Sequence, residues 1–255
     1  MHANLLFGLL GLGLAALMLA ACEAGFWLGR RSATGAHPRA LENAMSWQAA
    51  VLGLAALLIG FTFAMAVTRF DRRREVLVAE ANAIAMTYHR TELIDADVGE
   101  VVRRLLRHYV DVRIELFDQS TDPKRAAVLE QASTEIQSQI WARLSRVARD
   151  DPHSITAGLV LQAANEMFER GAERRAGREI PVPPTVFLVV ILVSAIAVAS
   201  IGFPLGLSSA RMSFGMLVIP LLVAGVIMLV LDIATPSLGV VRVPDLPMLR
   251  LRDLM

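Results

Sequence analysis

Charged side chains lodged in or beside long apolar stretches are the residues of this sequence with chemistry to do. Glu23 interrupts an otherwise uncharged run from Leu5 to Leu28, and Asp232 closes another that ends at Leu231. An acidic group near the end of a membrane span faces protein or water and finds a cation, so both are candidates for function. A structural ion pair at the interface, Asp232 with Arg69, is an equally weighted reading of the same residues. Arg69, Arg72, Arg73 and Arg74 follow a second apolar run. Guanidinium groups placed there hold a helix at the lipid headgroups, and attraction of anions is their second reading. Glu80 and Asn82 are two residues apart, point in different directions on a helix and so cannot share one ligand. Their expected work is helix packing or subunit contact at the cytoplasmic side.

His89, His108 and His153 lack metal-ligand spacing with one another or with Cys22. Gly8, Gly11 and Gly13 superficially match a dinucleotide loop, but no strand precedes them, and close helix packing in lipid explains them better. The sequence holds no Gly-x-Ser-x-Gly elbow, phosphate loop or His-Glu zinc motif, so an enzymatic reading has no residues to name. No cofactor or metal is expected.

The elements that must position these residues are helices. Of 255 residues, 55% are hydrophobic and 19% charged, too apolar for an ordinary soluble domain and too charged for spans alone. The net charge of +1 argues against nucleic acid as a partner. The single cysteine excludes an intrachain disulfide framework. Four spans are expected, at 5–28, 49–68, 183–207 and 212–232, each long enough at about 20 residues per crossing. Leu19-Ala20-Ala21-Cys22 also fits a lipoprotein cleavage site, with Cys22 as the lipid anchor. The lack of Lys or Arg in the first four residues, and the apolar residues past Cys22, favour a retained span. Ser194, Ala195, Ala199, Ser200 and Gly202 of the third span are small, which permits close helix contact, and Pro220 predicts a kink in the last span.

Between the second and third spans, 69–182 reads as a helical region. Val76, Leu77, Ala81, Ile84 and Tyr88 share a face. A helix beginning at Asp97, capped by that carboxylate, carries Val101, Leu105 and Tyr109. Another begins at Asp122-Pro123 and carries Val128, Ala132, Ile136, Ile140, Leu144 and Val147. Asp151-Pro152 ends it, and a further helix over 154–175 places Leu161, Ala164 and Phe168 together. The stretch 30–46 reads as a polar connector, 208–211 as a short hairpin connection, and 233–255 as a tail. The residues from Leu57 to Ile84 pass from apolar side chains through the arginines into an amphipathic pattern, the order expected of one helix crossing from lipid through a basic interface. Arginines near the span ends set the orientation. Arg69, Arg72, Arg73, Arg74, Arg170, Arg174, Arg175, Arg178, Arg242, Arg250 and Arg252 outnumber Arg30, Arg31, Arg39 and Arg211 on the other side. The positive-inside rule therefore puts both termini and the helical region in the cytoplasm, in a multi-pass protein of the cell (inner) membrane.

Several local sequences, in order, carry a family likeness: Glu23 with Gly29-Arg30-Arg31, Gly60-Phe61-Thr62-Phe63, Arg69-Phe70-Asp71 and Glu80-Ala81-Asn82-Ala83-Ile84. They continue with Tyr88, Arg90, Tyr109-Val110-Asp111-Val112-Arg113, Asn165-Glu166-Met167, and Leu231-Asp232 with Pro236, Gly239 and Val243. In these the chain resembles the bestrophin-like domain family of prokaryotic membrane proteins, over essentially its whole length. More distantly it is similar to bestrophins, pentameric anion channels with four spans, cytoplasmic termini and a helical cytoplasmic domain between spans two and three. The resemblance implies an all-α integral membrane protein of that layout, a homo-oligomer, and chloride or another small anion as the conducted species. It places an apolar neck at Gly53, Leu57 and Phe61 of span two, of which only Phe61 has the family's bulky aromatic type. Such a constriction gates by dewetting, with anions drawn by flanking positive potential. Phe61 and Phe63 also fit plain lipid-facing or packing roles. The acidic calcium clasp of animal bestrophins has no counterpart, since Asp232, Asp245 and Asp253 are scattered. The alternative function is a non-conducting scaffold or sensor whose cytoplasmic helices recruit a partner.

Overall fold

Apolar runs of span length become helices because a backbone in hydrocarbon must satisfy its own hydrogen bonds. The computed structural model describes residues 2–33, 39–118, 122–179, 183–208, 215–235 and 245–255. These form α1 (His2–Ser32), α2 (Ala40–Arg90), α3 (Ala96–Asp118), α4 (Pro123–Asp150), α5 (Ile155–Glu179), α6 (Pro184–Leu207), α7 (Gly215–Ala234) and α8 (Leu246–Leu254), with a 3-10 turn at Thr91–Leu93. No strand occurs among the described residues. α1, α2, α6 and α7 are long and apolar enough to cross a membrane. The expected connector at 30–46 is shorter than its polarity suggests, because α1 runs to Ser32 and α2 already begins at Ala40. The expected hairpin connection at 208–211 falls largely outside the described residues, as do Pro236, Gly239 and Val243 of the tail.

The chain divides into two compact units: Met1–Phe70 with Val182–Arg242, and Asp71–Pro181 with Val243–Met255. In the first, α1 and α6 pack most closely. A Cβ added to Gly25 would strike the carbonyl oxygen of Ala199, and one on Gly29 that of Phe203. From the other side, a Cβ on Gly202 would strike the carbonyl of Cys22, and one on Gly206 that of Phe26. The paired positions rise together, so the two helices run parallel. Backbones this close gain van der Waals contact where lipid offers no hydrophobic drive. Of the small residues expected to permit close contact on α6, Ser194, Ser200 and Gly202 are buried. The early glycines are not: nothing lies within 4 Å of a Cβ on Gly8 or Gly13, and Gly11 meets only Met228. Gly25 and Gly29, spaced by four like Gly202 and Gly206, have the partner helix opposite them. Leu14, Met18, Cys22, Val190, Val198, Ala224 and Ile227 complete the core of this unit, and Cys22 is buried in it.

In the second unit the lower part of α2 packs with α3, α4, α5 and α8. Its helix starts follow side-chain chemistry. Asp122 accepts from the amides of Lys124 and Arg125 as expected, with proline in the first turn. The cap of α3 is Asp95, not Asp97: the Asp95 carboxylate accepts from the amides of Asp97 and Val98, two donors that a carboxylate inside the first turn cannot reach. Ser154 Oγ accepts from Ala157 N before α5, which extends to Glu179 rather than ending at 175. The α2 face of Val76, Leu77, Ala81 and Ile84 is buried. On α3 the buried row is Val102, Leu106, Tyr109 and Val110, one step round from the expected Val101 and Leu105. On α4 Leu129 is buried and Val128 exposed. Both rows are apolar at adjacent positions, and the neighbouring helices decide which turns inward. The expected tail contains α8, whose Met248 and Leu251 enter the core of this unit.

Candidate functional site

The candidate neck residues share one face of α2, four apart, and no described residue covers this face. Leu57 is 54% and Phe61 66% exposed, and nothing lies within 4 Å of a Cβ at Gly53 or Gly60. On its opposite side α2 buries Ala55, Thr62 and Ala66, small residues with the Thr62 hydroxyl returned to the carbonyl of Leu58. Glu23 is half-buried on α1, and Asp232 is 7% exposed two residues before the end of α7. Neither is a free charge, and Arg69 and Arg73 are engaged as well.

After the apolar part of α2, Arg72 and Arg74 meet carboxylates and an open depression. Arg72 pairs with Glu173 of α5 and lies 3.5 Å from Glu75. Arg74 and Asn82 line an open depression on the outer side of α2 with Asp71, Glu75, Val78 and Ala79. Glu80 points the other way, as the two-residue spacing from Asn82 requires, and is completely buried.

Around Glu80 the second unit builds a closed polar cluster. Arg113 Nε of α3 lies 2.8 Å from Glu80 Oε1, and Arg174 Nη1 of α5 donates to Oε2 at 2.8 Å. The Tyr109 hydroxyl donates to Oε1 at 3.4 Å and accepts from Gln137 Nε2 at 3.0 Å. A Cβ at Gly171 would come within 2.9 Å of that hydroxyl, so a glycine is what lets α5 pass it. Arg113 Nη1 lies 3.7 Å from Glu130 Oε2, which also accepts from Arg175 Nε at 3.0 Å. Arg174 Nη2 lies 3.6 Å from Asp245 Oδ1, at the start of α8. Three arginines and three carboxylates thus join α2, α3, α4, α5 and α8, and the opposite charges offset the cost of taking each out of water. Burial alone would raise the Glu80 carboxyl, but Arg113 and Arg174 outweigh it and hold Glu80 below its ordinary range. Burial opposes the charge on Arg113, and Glu80 with Tyr109 and Glu130 more than restores it. Burial pushes the Tyr109 hydroxyl up, keeping it a neutral donor.

The sequence singled out Glu80 and missed its partners. The signal was present: Arg113 falls in the apolar row of Val102, Leu106 and Tyr109, and Glu80 in that of Leu77 and Ile84. A charge on the inward face of an amphipathic helix needs a counter-charge on its neighbour.

Four span-length helices and a second, polar-clustered helical unit define a multi-pass α-helical membrane protein. The sequence profile of the bestrophin-like domain matches residues 16–248, and the chain belongs to that family. A crystal structure of a bacterial bestrophin homologue from Klebsiella pneumoniae, carrying a tryptophan-to-alanine mutation, is similar with a TM-score of 0.68 at 14% identity, over 95% of this chain and 94% of that one. A second crystal structure of that homologue, with a tyrosine-to-alanine mutation, gives 0.67 at 14% identity, over 94% and 98%. The likeness is one of fold. No curated protein matches the sequence.

Proposed function

We propose that the chain is one subunit of a homo-oligomeric anion channel, with α2 lining the pore and Gly53, Leu57 and Phe61 at its narrow part. The observation that carries this reading is the outward face of α2, where Leu57 and Phe61 stand exposed in a chain of bestrophin fold. Four spans in one subunit leave little room for an aqueous path, so copies must assemble around it, five by family likeness. An apolar ring passes hydrated chloride only when wetted, and the basic residues from Arg69 to Arg74 supply the positive potential beside it. The arginine distribution favours a cytoplasmic location for 69–182 and for both termini, and a bacterial inner membrane is the setting this implies.

Purified protein in chloride-loaded liposomes tests the proposal. Chloride efflux is expected, rising in Phe61→Ala as the narrow part widens. Absence of efflux, or a solution mass that fits only a monomer, overturns it.

A further inference from the structure

We propose that Arg113 and Ser133 hold a structural water molecule in the core of the second unit, bridging the Arg113 guanidinium of α3 to the Ser133 hydroxyl of α4. The site lies within this unit alone, and its occupation does not depend on whether the chain conducts ions.

Three observations carry it. The first is unmet hydrogen bonding. Arg113 is 1% and Ser133 0% exposed. Arg113 Nε lies 2.8 Å from Glu80 Oε1 as an ion pair, yet neither Nε nor Nη2 is in a regular hydrogen bond with any described residue, and neither is Ser133 Oγ. The acceptors within reach serve other donors: Glu80 Oε1 takes the Tyr109 hydroxyl, Glu80 Oε2 takes Arg174, and Glu130 Oε2 takes Arg175. A guanidinium carries a fork of N–H donors and accepts nothing. Buried without acceptors, it bears the full cost of leaving water. Internal water is the usual remedy, each molecule meeting about three such groups.

The second is placement. α3 and α4 run antiparallel in this unit, with Glu115 beside Arg125, Arg113 beside Glu130 and Tyr109 beside Gln137. Ser133 is about one turn from Glu130 and one from Gln137, so it stands between the levels of Arg113 and Tyr109. Its hydroxyl is close to that of Tyr109. The buried row of α4 reads Leu129, Ser133, Ile136, Ile140 and Leu144, and Ser133 is much the smallest side chain in it. A serine in a row of leucine and isoleucine draws back the wall facing Arg113, and that shortening admits a water molecule.

The third is charge. Arg113, Arg174 and Arg175 are matched by Glu80, Glu130 and Asp245, so the cluster is neutral as it stands. An anion would leave one buried charge unmatched. Water adds none: it accepts from Arg113 Nη2 and donates to Ser133 Oγ.

Crystals of the full chain grown in sodium bromide, diffracting well enough to show ordered water, identify the occupant. A peak about 2.7–3.2 Å from both Arg113 Nη2 and Ser133 Oγ, without anomalous bromide signal, is expected. A bromide signal at that place, or clear density for both side chains with no peak between them, overturns the proposal. The melting temperature of the full chain in detergent gives a second reading, because its sign differs between a hydrated and a dry site. Ser133→Ala is compared with Ser138→Ala, an exposed position of the same helix that reports the gain in helix propensity. Removing an unmet hydroxyl from a dry site raises the melting temperature above this control. Removing a partner of bound water lowers it by roughly 2–4 °C. Ser133→Ala protein that melts at or above the control overturns the proposal as well.

Discussion

In the first unit the tightest contact is backbone against backbone, with Gly25 and Gly29 opposite Ala199 and Phe203, and Gly202 and Gly206 opposite Cys22 and Phe26. In the second, helices stand a side chain apart around Leu106, Tyr109, Ile140 and Met167, and a carboxylate lies at the centre. The difference fits the solvent proposed for each unit, lipid for the first and water for the second. Lipid tails are as apolar as leucine, so burying leucine gains nothing there and helices associate by approaching until their atoms touch. Where water surrounds a bundle, apolar burial drives association at about 25 cal/mol per Å2, but it is indifferent to register. A buried charge cluster then supplies direction, at a desolvation cost its members offset for one another.

Variants can break this contrast at either end. The largest effect is expected from Gly25→Val, where any Cβ collides with the Ala199 carbonyl. Loss of at least 4 kcal/mol, or failure to accumulate as folded protein, is expected from an overpacked contact between two backbones, read by thermal unfolding in detergent and by size-exclusion profile. Arg113→Met comes next: it leaves Glu80 with one guanidinium in place of two and should lower stability by roughly 3–5 kcal/mol, the range for breaking a buried pair. Acid sharpens the same point. Because the folded carboxyl of Glu80 is held below its ordinary value of 4.5, its contribution is complete above that value and is lost as pH falls through the lower folded one. Melting temperature followed from pH 7 downward should therefore fall at the acid end in the parent, and less steeply in Glu80→Gln. Asp122→Ala removes a cap in the second unit and should cost about 1 kcal/mol. The smallest change is Gly8→Ala in α1, within about 0.5 kcal/mol because that glycine faces open space, and a large loss there would sink the claim that the seam is confined to the later glycines.

Spans were legible in the sequence because hydropathy over about 20 residues averages out local detail. The Asp122-Pro123 start was legible because cap and proline act within one turn. Legibility failed where the deciding partner lies far along the chain. Val101 and Val102 are equally apolar, and only the packing of α3 on its neighbours selects Val102. Arg113 and Arg174 have no local mark of their shared carboxylate on α2. α8 is nine residues long, too short for periodicity to announce it, and an isolated helix of that length is marginal in water. Its existence depends on Met248 and Leu251 finding the core. Gly202 was readable among the small residues of its span, while on α1 the Gly8, Gly11 and Gly13 cluster drew the packing role that Gly25-x-x-x-Gly29 carries.

The parallel seam of α1 and α6 has a consequence in time. The two strips of glycine are separated by the whole of α2 to α5, so during synthesis the first span enters the bilayer long before its partner exists. At 5–20 residues per second the wait is on the order of 10–35 s. Throughout it α1 must keep its glycine groove bare of α6, and the membrane unit closes only after α3 to α5 of the second unit have been made.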